Sequence, residues 1–229
     1  MPSRIPGTAF FPGGSGLWGT DAAKSLPRMP VGGIMVLGQD FDSERGFCTS
    51  LARQSENLKG PTWRQLLSVL RHAGIDAGDC FFTNFFMGLR AGTCAIGRFP
   101  GARDAAFVRR CQRFLQRQID VQRPRLILTL GAHVLGPTAE LSPQLVSWVG
   151  VATLRELDAR QCAVIPSATF GLAHTTAIVA MTHPSLRSVN VRHRRYADLT
   201  GDAAEQQMLL EVLGRRSGEE VPSVPRSAS

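Results

Sequence analysis

The chain has 229 residues, 43% of them hydrophobic and 19% charged, which suffices for one well-buried domain and excludes disorder along the whole length. No apolar run approaches the roughly 18 residues a membrane-spanning helix needs, and the first residues lack a charged-then-apolar leader, so a cytoplasmic protein without a membrane partner is expected. The net charge is +8 and nearly all the basic residues are arginine, Lys24 and Lys59 being the only lysines; guanidinium forks suit phosphate oxygens and point to nucleic acid, although a bias towards arginine codons would give the same composition.

Residues 1–30 hold several Gly and Pro, with Phe10, Phe11 and Trp18 among them, and form an N-terminal extension. Ile34-Met35-Val36-Leu37, closed by Gly38, suits a buried strand. A helix is expected from Thr62, with Gln65 as capping-box partner, Trp63, Leu66, Leu67 and Leu70 on one face, and Gly74 at its end. Cys80-Phe81-Phe82-Thr83 is a second strand. A long helix starts near Asp104, with Phe107, Val108, Cys111, Phe114, Leu115 and Ile119 as its buried stripe and Arg109, Arg110, Arg113 and Arg117 towards water. Pro124 follows it, then a third strand over 126–130, and Gly131 turns into a further helix. Residues 177–181 form a fourth strand and 203–213 a last helix. Residues 216–229, rich in Ser, Pro and Glu, are expected to be a disordered tail.

Strands alternating with helices imply one α/β domain over residues 31–215. Its expected architecture is a three-layer α/β/α sandwich around a central, mostly parallel four-stranded sheet. The five cysteines, Cys48, Cys80, Cys94, Cys111 and Cys162, show no metal or cluster spacing, so free thiols and no metal site are expected.

In an open parallel sheet, ligands bind beyond the carboxyl ends of the strands. The residues that follow the four strands are Gly38-Gln39-Asp40-Phe41-Asp42, Asn84, Gly131-Ala132-His133, and Thr182-His183-Pro184-Ser185-Leu186-Arg187. Polar and ionisable side chains therefore collect at one rim. Each has a plainer reading as well: Asp40 as an Asx turn or helix cap, Asn84 as a turn residue, His183 as a satisfied histidine in a Pro turn.

This ordered set resembles the uracil-DNA glycosylase superfamily over about residues 32–196. Gly38-Gln39-Asp40 looks like the opening of its water-activating motif and His183-Pro184-Ser185 like its second signature. Thr83-Asn84 matches its base-reading strand end, and the run from Arg123 to Gly131 its intervening strand and glycine. The resemblance implies hydrolysis of the N-glycosidic bond of uracil, or a related deaminated base, flipped out of DNA for base excision repair. It implies Asp40 as the carboxylate beside the sugar, with Asp42 as the fallback, and His183 as the donor to the leaving base. Asn84 would read the amide edge of uracil, the backbone N–H of Gln39 would help orient the base, and Phe47 would stack on it, with Phe41, Phe85 and Phe86 as competitors. Ser185, Leu186 and Arg187 fall in the DNA-penetrating loop, with Leu186 or Arg187 as the wedge. The run Arg192-His193-Arg194-Arg195 would hold phosphates, chiefly through Arg192 and Arg194, or is simply solvated surface. DNA is the expected partner, no cofactor is expected, and the protein is expected to be a monomer.

The chain also departs from the family. Phe41-Asp42-Ser43 stand where the best-known branch has Pro-Tyr-His, which leaves the substrate range open. The iron–sulfur branch's cysteines are missing, as is the basic insert of the branch that cross-links to DNA. Strand-cutting glycosylases commonly use an amine; neither lysine is near the motifs in sequence, so a monofunctional enzyme is expected. A non-catalytic module recognising damaged or modified DNA on the same fold is the second reading. A nucleotide-using α/β enzyme is the third, ranked last because no Gly-rich phosphate fingerprint occurs.

Overall fold

Every residue of the runs 34–38 and 126–130 is buried, as unbroken apolar segments require when a sheet is covered on both faces. The computed structural model describes residues 31–53, 57–171 and 174–217. Its sheet contains β1 (Ile34–Gly38), β2 (Cys80–Asn84), β3 (Leu126–Leu130), β4 (Val164–Phe170) and β5 (His174–Met181) in the spatial order β2-β1-β3-β5-β4. The first three and β5 run parallel; β4 is antiparallel to β5. Helices flank this sheet in a three-layer α/β/α arrangement: α1 (Glu44–Arg53), α2 (Pro61–His72), α3 (Ala105–Gln122), α4 (Leu135–Ala139), α5 (Leu154–Ala159), α6 (Arg187–Asn190) and α7 (Gly201–Ser217). A short ribbon, β6 (Arg195–Tyr196) with β7 (Leu199–Thr200), precedes α7.

The sheet thus has five strands where four were expected. The added strand, β4, carries Pro166 in its middle, with Pro166 and Ser167 exposed and a register shift between Ile165 and Ala168. A proline breaks the pattern of a strand and is tolerated at an edge or bulge, where its missing N–H leaves no ladder partner unpaired. The sequence expectation also lacked α1. Its start is set by Ser43, whose Oγ accepts from Gly46 N–H at 3.1 Å, and by Asp42, whose Oδ1 accepts from Ser43 N–H at 2.6 Å. These are cap interactions, and they draw the fallback carboxylate Asp42 into local structure.

Other elements start and pack differently from expectation. α2 begins at Pro61 after Gly60, without a side-chain cap; proline's fixed φ suits the first helical position, and Thr62 lies one residue inside. α3 starts as expected, Asp104 accepting from Ala106 and Phe107 N–H at 2.9 and 3.0 Å, bonds that hold its carboxyl below the usual range, the Phe107 bond foremost. Phe114 is 44% exposed rather than buried, because the inward stripe of α3 runs through Cys111, Leu115 and Ile119. On α7 the inward residues are Ala204, Glu205, Met208, Leu209 and Val212, while Leu210 faces out. All five cysteines are free; Cys80, Cys111 and Cys162 are buried, and burial above all pushes the Cys80 thiol up to about 12. No group of metal-ligating side chains occurs among the described residues, and none of their helices is long and apolar enough to cross a membrane. The extension 1–30 lies outside the described residues. The tail expected from residue 216 starts inside α7, which reaches Ser217, and residues 218–229 are likewise outside.

Candidate active site

The parallel registers bring the strand ends level: Gly38 pairs with Asn84, Leu37 with Thr129, and Leu130 with Met181. The residues that follow therefore leave the sheet at one rim. There they line a cavity of about 860 Å³, whose walls include Gln39, Asp40, Phe41, Asn84, His133 and His183. That volume lies well above a single pyrimidine and within the roughly 300–1,000 Å³ typical of ligand pockets. Asn57, Gly60 and the first residues of α2, residues 95–97, and Ala152 and Thr153 with the start of α5 also line it, and Ser185 and Leu186 stand at its wall. Leu186 is 52% exposed.

His183 is oriented by its own turn. Its Nδ1 accepts from Ser185 N–H at 3.3 Å and lies 2.8 Å from Ser185 Oγ. A backbone N–H can only donate, so Nδ1 carries no proton and the neutral ring bears its hydrogen on Nε2. Burial depresses the pKa of His183; the Asp40 charge opposes this and His133 adds to it. A neutral Nε2–H donor is the resulting state. Gly131 makes room for the ring: its φ is +84° and a Cβ there would meet His183 Cβ at 3.1 Å. Its ψ is 171°, a region essentially confined to glycine, so Gly131→Ala combines backbone strain of about 1–3 kcal/mol with a push on His183. The expected result is a lowered melting temperature, read by thermal unfolding.

Asp40 is not a lone carboxylate. Arg90 Nε meets Asp40 Oδ2 at 2.6 Å and Arg90 Nη2 meets Oδ1 at 2.9 Å, with Asp40 and Arg90 side chains 6% and 5% exposed. The hydrogen bond to Asp40 pushes the Arg90 pKa up. Gln39 Nε2 adds a third bond to Asp40 Oδ1 at 2.6 Å and a further one to Gly97 O at 3.0 Å. Two acceptors facing one end of the amide fix it as the NH2 end. Gln39 Oε1 is then buried without a protein partner, as is Thr182 Oγ1 on the same cavity.

The family model for the uracil DNA glycosylase superfamily matches residues 34–204, well over half of the chain. The chain belongs to the uracil DNA glycosylase superfamily. None of the curated proteins matches it.

Within this superfamily frame, Asp40, Asn84, His183 and Gln39 reach one cavity, while several other expected residues do not play the parts set out for them. Phe47 is absent from the cavity wall; it packs edge-on against Phe41, ring centroids 6.2 Å apart, and the aromatics that line the cavity are Phe41 and Trp63. Phe47 sits on α1, and its place on that helix keeps it off the cavity wall. Phe85 and Phe86 are core, Phe86 stacking on Phe99 at 4.9 Å. Arg187 is 7% exposed and pairs with Asp202 and Glu205, so of the two expected wedge candidates only Leu186 is exposed. Arg194 is 1% exposed, forked onto Asp158 at 2.9 Å through both Nε and Nη2, and bonded to Glu205 at 2.8 Å. It is a structural hub and offers no charge to phosphate. Arg192, His193 and Arg195 remain exposed.

Glu205 is the centre of this network. Its side chain is fully buried and also accepts from Thr182 N–H at 2.6 Å, so it ties α7 to the root of the His183 loop. No local signal marks these partners, which lie 11 to 36 residues apart in sequence. Arg90 was missed for the same reason: it stands 50 residues from Asp40 in a stretch without periodicity.

Proposed function

We propose that the protein is a monofunctional DNA glycosylase that hydrolyses the bond between C1′ and the base in a flipped-out deoxyuridine or related deaminated nucleotide. Superfamily membership supports glycosylase chemistry. The observation that carries the finer reading is the convergence of Asp40, Asn84 and His183 on one cavity at level strand ends. In this reading a water oxygen bonds C1′ as the C1′–N1 electron pair leaves with the base. The proton released by the water balances the one the base anion finally takes up. Asp40 supplies negative charge beside the developing sugar cation. His183 Nε2–H donates to O2 of the leaving base, where charge develops. Asn84 can accept from a ring N–H and donate to a carbonyl, the uracil pattern rather than the cytosine one.

Hydrolysis without strand cutting is supported by the cavity wall, which among the described residues includes no lysine. Lys59 is exposed in the turn before α2, between the lining residues Asn57 and Gly60, nearer the site than its sequence position suggested. The test is incubation with oligonucleotides carrying one uracil, hypoxanthine or xanthine, each analysed with and without alkali. Alkali-dependent breakage is the expected result. Breakage without alkali would point to Lys59 or another amine, and intact strands throughout would favour the binding-module reading.

The state of His183 gives a pH prediction. Its folded pKa is depressed below the ordinary value of 6.5, so the neutral donor persists at pH 7 and base release is expected to stay flat down to about 6.5. Below that value the unfolded chain takes up the proton more readily than the folded one. The stability this residue contributes is therefore present above about 6.5 and lost as pH falls towards the folded pKa. His183→Ala should abolish that acid-side loss of stability, measured by urea unfolding at several pH values.

A further inference from the structure

Residues 91–98 border the cavity through Ala95, Ile96 and Gly97, yet all eight are exposed and none belongs to a helix or strand. The buried points on either side are Arg90 and Phe99, each 5% exposed, with the Arg90 guanidinium 5.7 Å from the Phe99 ring centroid. A guanidinium has five N–H donors, and in Arg90 all five are engaged. Two go to Asp40, as given above. Nη1 donates to Ile96 O at 2.9 Å and Arg98 O at 3.3 Å, and Nη2 to Gly97 O at 2.7 Å. Gln39 closes the ring by bonding both Asp40 and Gly97.

We infer that Arg90 is the positioning residue of this site, setting with one side chain both the orientation of Asp40 and the cavity wall formed by residues 95–97. The inference rests on the glycosylase reading. Asp40 Oδ1 receives two hydrogen bonds, from Gln39 and Arg90, and Oδ2 receives one, from Arg90. A carboxylate has about four acceptor positions, so Oδ2 is the atom left to hold a water or face the sugar. Arg90 therefore acts through Asp40: it selects which oxygen works and prevents the carboxylate from rotating. The same fork fixes Ile96, 80% exposed, against the space a base must enter. Lysine keeps the charge but lacks the planar fork and cannot make five such bonds.

The test compares wild type, Arg90→Ala, Arg90→Lys, Asp40→Asn and the double variant Asp40→Asn/Arg90→Ala. Single-turnover release from a uracil oligonucleotide is measured beside the Kd for an oligonucleotide carrying a non-cleavable abasic analogue. Arg90→Ala is expected to slow release about 10- to 100-fold, with Kd within about threefold of wild type, the pattern of a transition-state effect. In the Asp40→Asn background the same change should add less than about twofold, because the two residues act as one unit. Methylguanidinium should restore part of the rate to Arg90→Ala and none to Asp40→Asn, and amide exchange over 95–98 should rise in both Arg90 variants. Should Arg90→Ala not fold, Arg90→Lys carries the test and is expected to be at least about tenfold slow. Wild-type rates in the Arg90 variants, full additivity with Asp40→Asn, or a loss confined to Kd would each overturn the inference while leaving the glycosylase reading intact. A wild-type chain that releases no base from any substrate would overturn that reading and this inference with it.

Discussion

Asp40→Asn is expected to lower the rate of base release by about 10²- to 10³-fold, the scale on which a single group placed to stabilise developing charge contributes. Asparagine keeps the shape and one acceptor but removes the charge beside the sugar cation. The variant also has a second expected effect that the sequence did not suggest. Arg90 is 5% exposed and forked onto Asp40, so removing one partner leaves a buried cation uncompensated, which typically costs about 3–5 kcal/mol; because asparagine keeps an acceptor and three carbonyls still hold Arg90, the loss should fall at or below the low end. Rates must therefore be read well below the variant's melting temperature, with folding checked by circular dichroism. A folded Asp40→Asn protein that works at the wild-type rate would remove Asp40 from the mechanism. Asp42, which also lines the cavity with its Oδ1 accepting from Ser43 N–H, would then be the carboxylate to test.

Glu205→Ala is expected to destabilise the fold by about 3–5 kcal/mol, because two buried arginines, Arg187 and Arg194, would lose their shared carboxylate. Thr182 N–H would lose its acceptor too. Urea unfolding reads the loss directly. The network also predicts what mutation of Arg194 does: Arg194→Ala should lower stability rather than reduce the salt dependence of DNA binding. A phosphate-contacting arginine would do the reverse, flattening the slope of log affinity against log salt by about one charge. Arg192→Ala, at an exposed position, is the matching comparison.

Local pattern and strand-end logic revealed the sheet's four parallel strands, the start of α3, and three polar groups that meet in one cavity. These features follow from periodicity, caps and turn residues that lie within a few positions of one another. What stayed hidden was long-range pairing. Arg187 looks like a wedge and Arg194 like part of a phosphate-holding run because their acids, Asp158, Asp202 and Glu205, stand elsewhere in the chain. Arg90 looks like one more arginine until folding places it against Asp40. Phe47 follows from the family resemblance alone, and α1, opened by the Asp42–Ser43 caps, carries it off the cavity wall. β4 was hidden by its own proline.

The Glu205 link has a consequence for the order in which the molecule matures. During synthesis, domains generally fold from the N-terminal side as the chain emerges. Asp40, Arg90, Asn84 and even His183 leave the ribosome before Glu205, yet the root of the His183 loop at Thr182, like the buried Arg187 and Arg194, waits for that carboxylate. A nascent chain halted before residue 205 would hold Asp40, Arg90, Asn84 and His183 and still lack the carboxylate that secures the root of the His183 loop, so the proposed site would be completed only with α7.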